Sequence, residues 1–146
     1  MNDAAGTYGI YDVVVIGGGP AGLTAAIALA QTGANTALIA RRAPYADNRT
    51  TALLGGSVDL LQQLAVWPRC KDKAAPLRAM RLVDDTGRLI RAPEVRFSCA
   101  EIGLDEFGYN IDNRALTIAL EERAAELSDL TRFDQITQSM KSRAPA

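Results

Sequence analysis

The chain has 146 residues, 48% of them hydrophobic, which is enough for one domain with a sizeable core. Lys and Arg number 16 against 17 for Asp and Glu, and a formal net charge of -1 gives no bulk attraction to nucleic acid or anionic lipid. Histidine is absent, so His-dependent hydrolytic triads are excluded within this chain and the commonest metal ligand is missing; no catalytic and no metal-binding residue is assigned. Cys70 and Cys99 lie far apart without a CxxC pair, as expected of two incidental thiols in a reduced, cytoplasmic protein.

Residues 1–10 are small and polar and read as a flexible N-terminus. Tyr11 to Ile16 is short, continuous and β-branched, the pattern of a central parallel strand covered on both faces. Gly17-Gly18-Gly19-Pro20-Ala21-Gly22 follows, and Pro20 suits the first turn of a helix expected to run to about Thr32 and stop at Gly33. The uncharged run from Val13 to Ala30 could pass for a membrane span or secretory signal. Four glycines and a proline break it, and no Lys or Arg precedes it. Asn35 to Ala40 predicts a second strand, parallel to the first through a right-handed crossover.

Arg41 to Thr51 reads as a polar loop. Ser57 to Val66 has helical spacing through Val58, Leu61, Leu64 and Ala65, and Trp67-Pro68 closes it. Arg78 to Val83 and Arg88 to Arg91 flank Asp84-Asp85-Thr86-Gly87 and predict a β-hairpin. Val95 to Cys99 suggests another strand, and Phe107 to Ile111 leads into the last helix. Asp112 or Asn113 can cap that helix, whose apolar stripe is Leu116, Leu120, Ala124 and Leu127. Leu130 to Phe133 is a candidate third parallel strand, and residues 135–146 form an irregular tail without pattern. The fold class is therefore α/β: a Rossmann-like parallel sheet with a glycine-rich βαβ unit, plus a β-hairpin insert at about 78–111.

In Gly-x-Gly-x-x-Gly, the first glycine (Gly17) makes the tight turn and the second (Gly19) lets a pyrophosphate approach the backbone. The third (Gly22) brings helix and strand close. The N–H groups at the Pro20-Ala21 end of the helix then favour the anion. Strand, glycines, helix and second strand occur in the order that dinucleotide binding requires. An Asp or Glu is expected at the end of the second strand to accept from the adenosine ribose, and this sequence has Ala40. Losing such a charged partner costs about 1.5–3 kcal/mol. Arg41 and Arg42 follow, and in a nicotinamide enzyme they could hold the 2′-phosphate of NADP. A flavin-free NAD(P)-binding module is accordingly an alternative reading, as is a non-catalytic remnant acting through protein contacts.

Three segments resemble the N-terminal part of the FAD-dependent aromatic hydroxylases of ubiquinone biosynthesis, flavin monooxygenases related to p-hydroxybenzoate hydroxylase. The first is Gly17 to Gly22, shared widely among FAD enzymes. The second is Asp47-Asn48-Arg49-Thr50-Thr51-Ala52-Leu53 with Leu64-Ala65-Val66-Trp67, similar to the family's Asp-x-Arg-x-x-Ala-Leu segment and Leu-Gly-x-Trp helix end. The third is Asn113-Arg114 with Leu116, similar to its Asn-Arg-x-Leu helix start.

The resemblance implies that residues 11–134 are the N-terminal part of an FAD-binding domain. It places the FAD pyrophosphate on Gly17, Gly19, Pro20, Ala21 and Gly22, with Arg49 and Arg114 as further cofactor contacts; Arg41 is a cofactor-binding candidate from its place just after the second strand. It also implies NAD(P)H as co-substrate and an aromatic polyprenyl-phenol or quinone precursor as substrate. The implied setting is cytoplasmic or peripheral to the inner membrane, in association with other ubiquinone-biosynthesis proteins and without a transmembrane segment or nucleic acid. The family's later Asp-Gly and Gly-Asp segments do not occur, so the expected product is an incomplete FAD/NAD(P)-binding domain, inactive alone, from a truncated or frameshifted copy or a fragment of a longer coding region.

Overall fold

In the computed structural model, which describes residues 9–41 and 48–134, the elements follow in this order. They are β1 (Val13–Ile16), α1 (Pro20–Gln31), β2 (Thr36–Ile39), β3 (Thr50–Leu54), α2 (Gly55–Gln63), β4 (Ala74–Leu77), β5 (Ala79–Leu82), β6 (Val95–Ser98), β7 (Gly108–Asp112), α3 (Asn113–Ala125) and β8 (Leu130–Phe133). The chain divides into two units, Met1–Tyr45 with Leu120–Ala146 and Ala46–Ala119, and the division falls inside α3.

The first unit holds a parallel sheet in the order β1-β2-β8, with Val13 opposite Thr36 and Thr36 opposite Leu130. All three strands are where the sequence places them. The expectation of a central β1 is corrected, because among the described residues no strand pairs with its other edge. Val14 and Ile16 are exposed, while Thr36, Ala37 and Leu38 of β2 are buried. The buried hydroxyl of Thr36 is satisfied by donating to the Ala34 carbonyl at 2.9 Å. Asp12 fixes the entry to the sheet: its carboxylate accepts from the Asn35 amide at 2.9 Å, and its own amide donates to the Asn35 carbonyl at 2.9 Å. On α1, Leu23, Ala26, Ile27 and Ala30 are buried at helical spacing. Burying Leu23 and Ile27 stabilises the unit by about 1.5–3 kcal/mol each. Among the described residues no helix is long and apolar enough to cross a membrane.

The second unit corrects several expectations. The loop expected over Arg41 to Thr51 ends earlier, because Thr50 and Thr51 open strand β3, and the segment leading into the last helix does so as a strand not expected there, β7, between β3 and β4 in an antiparallel sheet. β4 contains Pro76 and lies at the edge of that sheet, where a missing N–H is tolerated. β5 is antiparallel to β6, not to Arg88–Arg91. The Asp84 carboxylate accepts from the Thr86 and Ala92 amides at 3.0 and 3.1 Å, folding residues 83–94 into a longer loop than the tight turn expected of Asp84 to Gly87. At its root Arg81 donates twice to Glu94, at 2.7 and 2.8 Å.

Helix α2 starts at Gly55 and ends at Gln63, earlier at both ends than the spacing suggests. Its exit passes through Ala65 at φ 57°, a left-handed conformation, and the Val66 amide reaches back to the Leu61 carbonyl at 2.9 Å. Trp67 then packs against Tyr109 with ring centroids 5.0 Å apart. Asp112 caps α3, accepting from the Arg114 and Ala115 amides at 2.8 and 3.2 Å, while the Asn113 side chain accepts from the Thr51 hydroxyl. Leu116, Leu120 and Ala124 are buried as the stripe predicts, and Leu127 is half-buried.

Candidate functional site

Gly17 adopts φ +120°, a conformation costly for any residue with a Cβ, and its amide donates to the Ile39 carbonyl at 2.9 Å. The turn is thereby tied to the end of β2. A Cβ on Gly22 would collide with the Gly17 carbonyl, so helix and turn approach as closely as the third-glycine reading requires. A Cβ on Gly19 would meet nothing within 4 Å among the described residues. Gly19 is the residue preceding α1, and among the described residues no side chain caps the helix there.

With Pro20 in the first turn and no acidic side chain in that turn, the helix presents unsatisfied N–H groups and the positive end of its dipole beside Gly19 and Ala21. An anion placed there is stabilised by roughly 0.3–1 kcal/mol when exposed and by up to ~2 kcal/mol when partly buried. Thr24 turns inward, its hydroxyl donating to the Pro20 carbonyl at 2.7 Å.

At the end of β2, Ala40 is buried and its amide donates to the Phe133 carbonyl at 2.9 Å. Its methyl group faces the turn, since a Cβ on Gly18 would lie 2.7 Å from it. Arg41 is exposed and directly follows. Arg42 and Asp47 lie outside the described residues. Sequence reading overlooked Arg132 of β8, which donates through Nη2 to the Ala40 carbonyl at 3.4 Å and is paired through Nη1 with Glu121 of α3. Arg132 sits opposite Leu38 in a strand read only for its apolar residues, and no local motif marks it.

Arg49 and Arg114 belong to the second unit. The Asn113 amide donates to the Arg49 carbonyl at 3.0 Å, which brings both arginines to the start of α3, where both are exposed. The same unit has a shallow cleft of about 200 Å³ lined by Val58, Asp59, Trp67, Lys71, Glu106 and Tyr109. There the Tyr109 hydroxyl donates to Glu106 at 2.9 Å, and this hydrogen bond holds the phenol above its ordinary pKa. Of its lining residues the sequence motifs mark only Trp67.

The sequence model of the FAD binding domain matches residues 10–145. The chain belongs to the FAD binding domain family. FAD is accordingly its cofactor, and an uncapped helix start beside an open glycine fits the diphosphate of that cofactor. No curated protein matches the sequence.

Among solved structures, the FAD binding domain chain is similar to the flavin-dependent monooxygenase PieE, crystallised with FAD and substrate, at 23% identity and a TM-score of 0.62; the match covers 84% of this chain and 23% of PieE. It is similar to p-nitrophenol 4-monooxygenase PnpA from Pseudomonas putida DLL-E4 at 20% identity and a TM-score of 0.64, over 85% of this chain and 31% of that one. It is also similar to PyrE3, a Diels-Alderase of pyrroindomycin biosynthesis, at 23% identity and a TM-score of 0.66, over 89% and 27%. The chain thus spans less than a third of each of these three proteins. The likeness establishes the α/β fold, and a Diels-Alderase among the similar structures means that fold alone does not fix a reaction.

Proposed function

We propose that this chain is the FAD-binding portion of an aromatic-ring hydroxylase, a monooxygenase using NAD(P)H and O2, of the ubiquinone-biosynthesis type, and that it is inactive alone. The observation that carries the reading is the glycine turn: positive φ at Gly17, open space at Gly19 and an uncapped start to α1. Gly17, Gly19, Pro20, Ala21 and Gly22 cradle the pyrophosphate, and Arg41, Arg49 and Arg114 supply charged contacts to the cofactor. When bound, FAD supplies the redox chemistry that oxygen activation needs; the chain binds and orients it. The segments from Arg49 to Leu53 and from Asn113 to Leu116 support the hydroxylase assignment by resemblance, and the neighbours PieE and PnpA are themselves monooxygenases. An aromatic polyprenyl-phenol or quinone precursor is the substrate class.

Two assays test this reading. Titration of the 146-residue chain with FAD and with NADPH is expected to show binding of FAD; tight NADPH binding without flavin affinity would instead establish a nicotinamide module, which Ala40 and Arg41 would suit. Incubated with FAD, NADPH, oxygen and a phenol, the chain is expected to release no hydroxylated product. Turnover would refute its inactivity.

A further inference from the structure

We propose that Arg132, held in place by Glu121, is a cofactor-binding residue that donates hydrogen bonds to the hydroxyls of the adenosine ribose. This inference rests on the FAD reading above. In a dinucleotide fold the ribose lies at the end of the second strand, where an acid ordinarily accepts from its hydroxyls. Ala40 occupies that place, buried against Gly18, and offers no polar side-chain atom. The guanidinium of Arg132 arrives there from the adjacent strand. Its Nη2 lies 3.4 Å from the Ala40 carbonyl and 3.7 Å from the point a Cβ on Gly18 would occupy. The Arg41 carbonyl lies 3.8 Å from the same point, so Arg132 is the side chain that brings hydrogen-bond donors to this end of β2.

The surroundings of Arg132 argue against a purely structural role. Its side chain is 14% exposed and its Glu121 partner 22%, so both charges are largely withdrawn from water. Such pairs rarely stabilise a fold more than apolar residues of the same size would. Nη1 is used by Glu121, whereas Nε, although 3.3 Å from Asp134 Oδ1, has no hydrogen-bond partner among the described residues. A guanidinium has five N–H donors, and its Nη2 bond to Ala40 is long, which leaves donor capacity on the side of the glycine turn. Two carboxylates, Glu121 and Asp134, already balance the one cation, so a neutral ribose edge suits it better than a further phosphate.

The test compares the affinities of the 146-residue chain for FAD, 5′-AMP, 2′,3′-dideoxy-AMP and FMN. The unaltered chain is expected to bind AMP about tenfold more tightly than its dideoxy analogue, the value of one or two hydrogen bonds to a charged group. Replacing both partners, as Arg132→Leu with Glu121→Leu, removes the pair without stranding a buried charge. It is expected to abolish that preference, weaken FAD and AMP about tenfold and leave FMN unchanged. Where the double variant does not fold, Arg132→Lys keeps the charge, shortens the reach and is expected to lose most of the preference. A folded variant of either kind that retains the wild-type preference for AMP would overturn the inference while leaving FAD binding intact. Failure of the unaltered chain to bind either FAD or AMP would overturn the inference and the FAD reading together.

Discussion

At the residue scale, Gly22 and Asp84 each tie one side chain, or its absence, to a measurable quantity. Gly22→Ala forces a methyl group onto the Gly17 carbonyl, so the start of α1 must move away from the turn. Overpacking of this kind costs about 1–3 kcal/mol, to be read as a lower urea midpoint with an unchanged slope. Asp84 is held below the ordinary carboxylate range by hydrogen bonds from the Thr86 hydroxyl, then from the Ala92 and Thr86 amides. Its folded value lies below the unfolded one, so the loop contact contributes above the unfolded pKa and is lost as the pH falls through the folded pKa. An NMR titration of the Asp84 carboxyl carbon is expected to give a midpoint below about 3.9, the unperturbed value. A midpoint at or above that figure would mean that the loop clasp does not persist in solution.

At the element scale, the helix ends carry the clearest consequences. Ala65 holds a left-handed conformation that costs a residue with a Cβ about 1–2 kcal/mol, and the hydroxylase pattern has glycine there. Ala65→Gly is expected to raise stability by about 0.5–1 kcal/mol, the strain relieved less the extra freedom of glycine in the unfolded chain, measured by thermal or urea unfolding. Asp112→Ala removes the acceptor for two first-turn amides of α3 and is expected to cost about 1 kcal/mol in the same assay.

The βαβ unit was legible because its signals are local: a β-branched run, glycines at fixed spacing, a proline at the first helical turn. β7 was not, since Gly108, Asn110 and Asp112 are poor strand formers, and its extended state is imposed by β3 and β4 on either side. β4 was hidden by Pro76, which argues against a strand unless the strand is known to lie at an edge. The pairing of β5 with β6 was missed because the Asp84 contacts that shape the intervening loop span residues 84–92, beyond the reach of a tight-turn pattern.

At the scale of the whole molecule, the sequence located the glycine turn and the absence of an acid at Ala40, but it could not place Arg132 beside that gap. That placement depends on β8 pairing with β2 across most of the chain's length. The exposed edge of β1, with Val14 and Ile16 open to solvent, is a second property of the assembled sheet that no local pattern reveals. The central claim is that the first unit binds FAD through the glycine turn. It is tested most directly by calorimetric titration of FAD into the 146-residue chain and into Gly19→Val. At Gly19 the backbone is unstrained and the protein leaves open space, so the variant should fold as the parent does, yet its side chain would occupy the position of the phosphates. Saturable FAD binding by the parent chain and none by the folded variant is the predicted result; equal FAD affinity in the two proteins would contradict it.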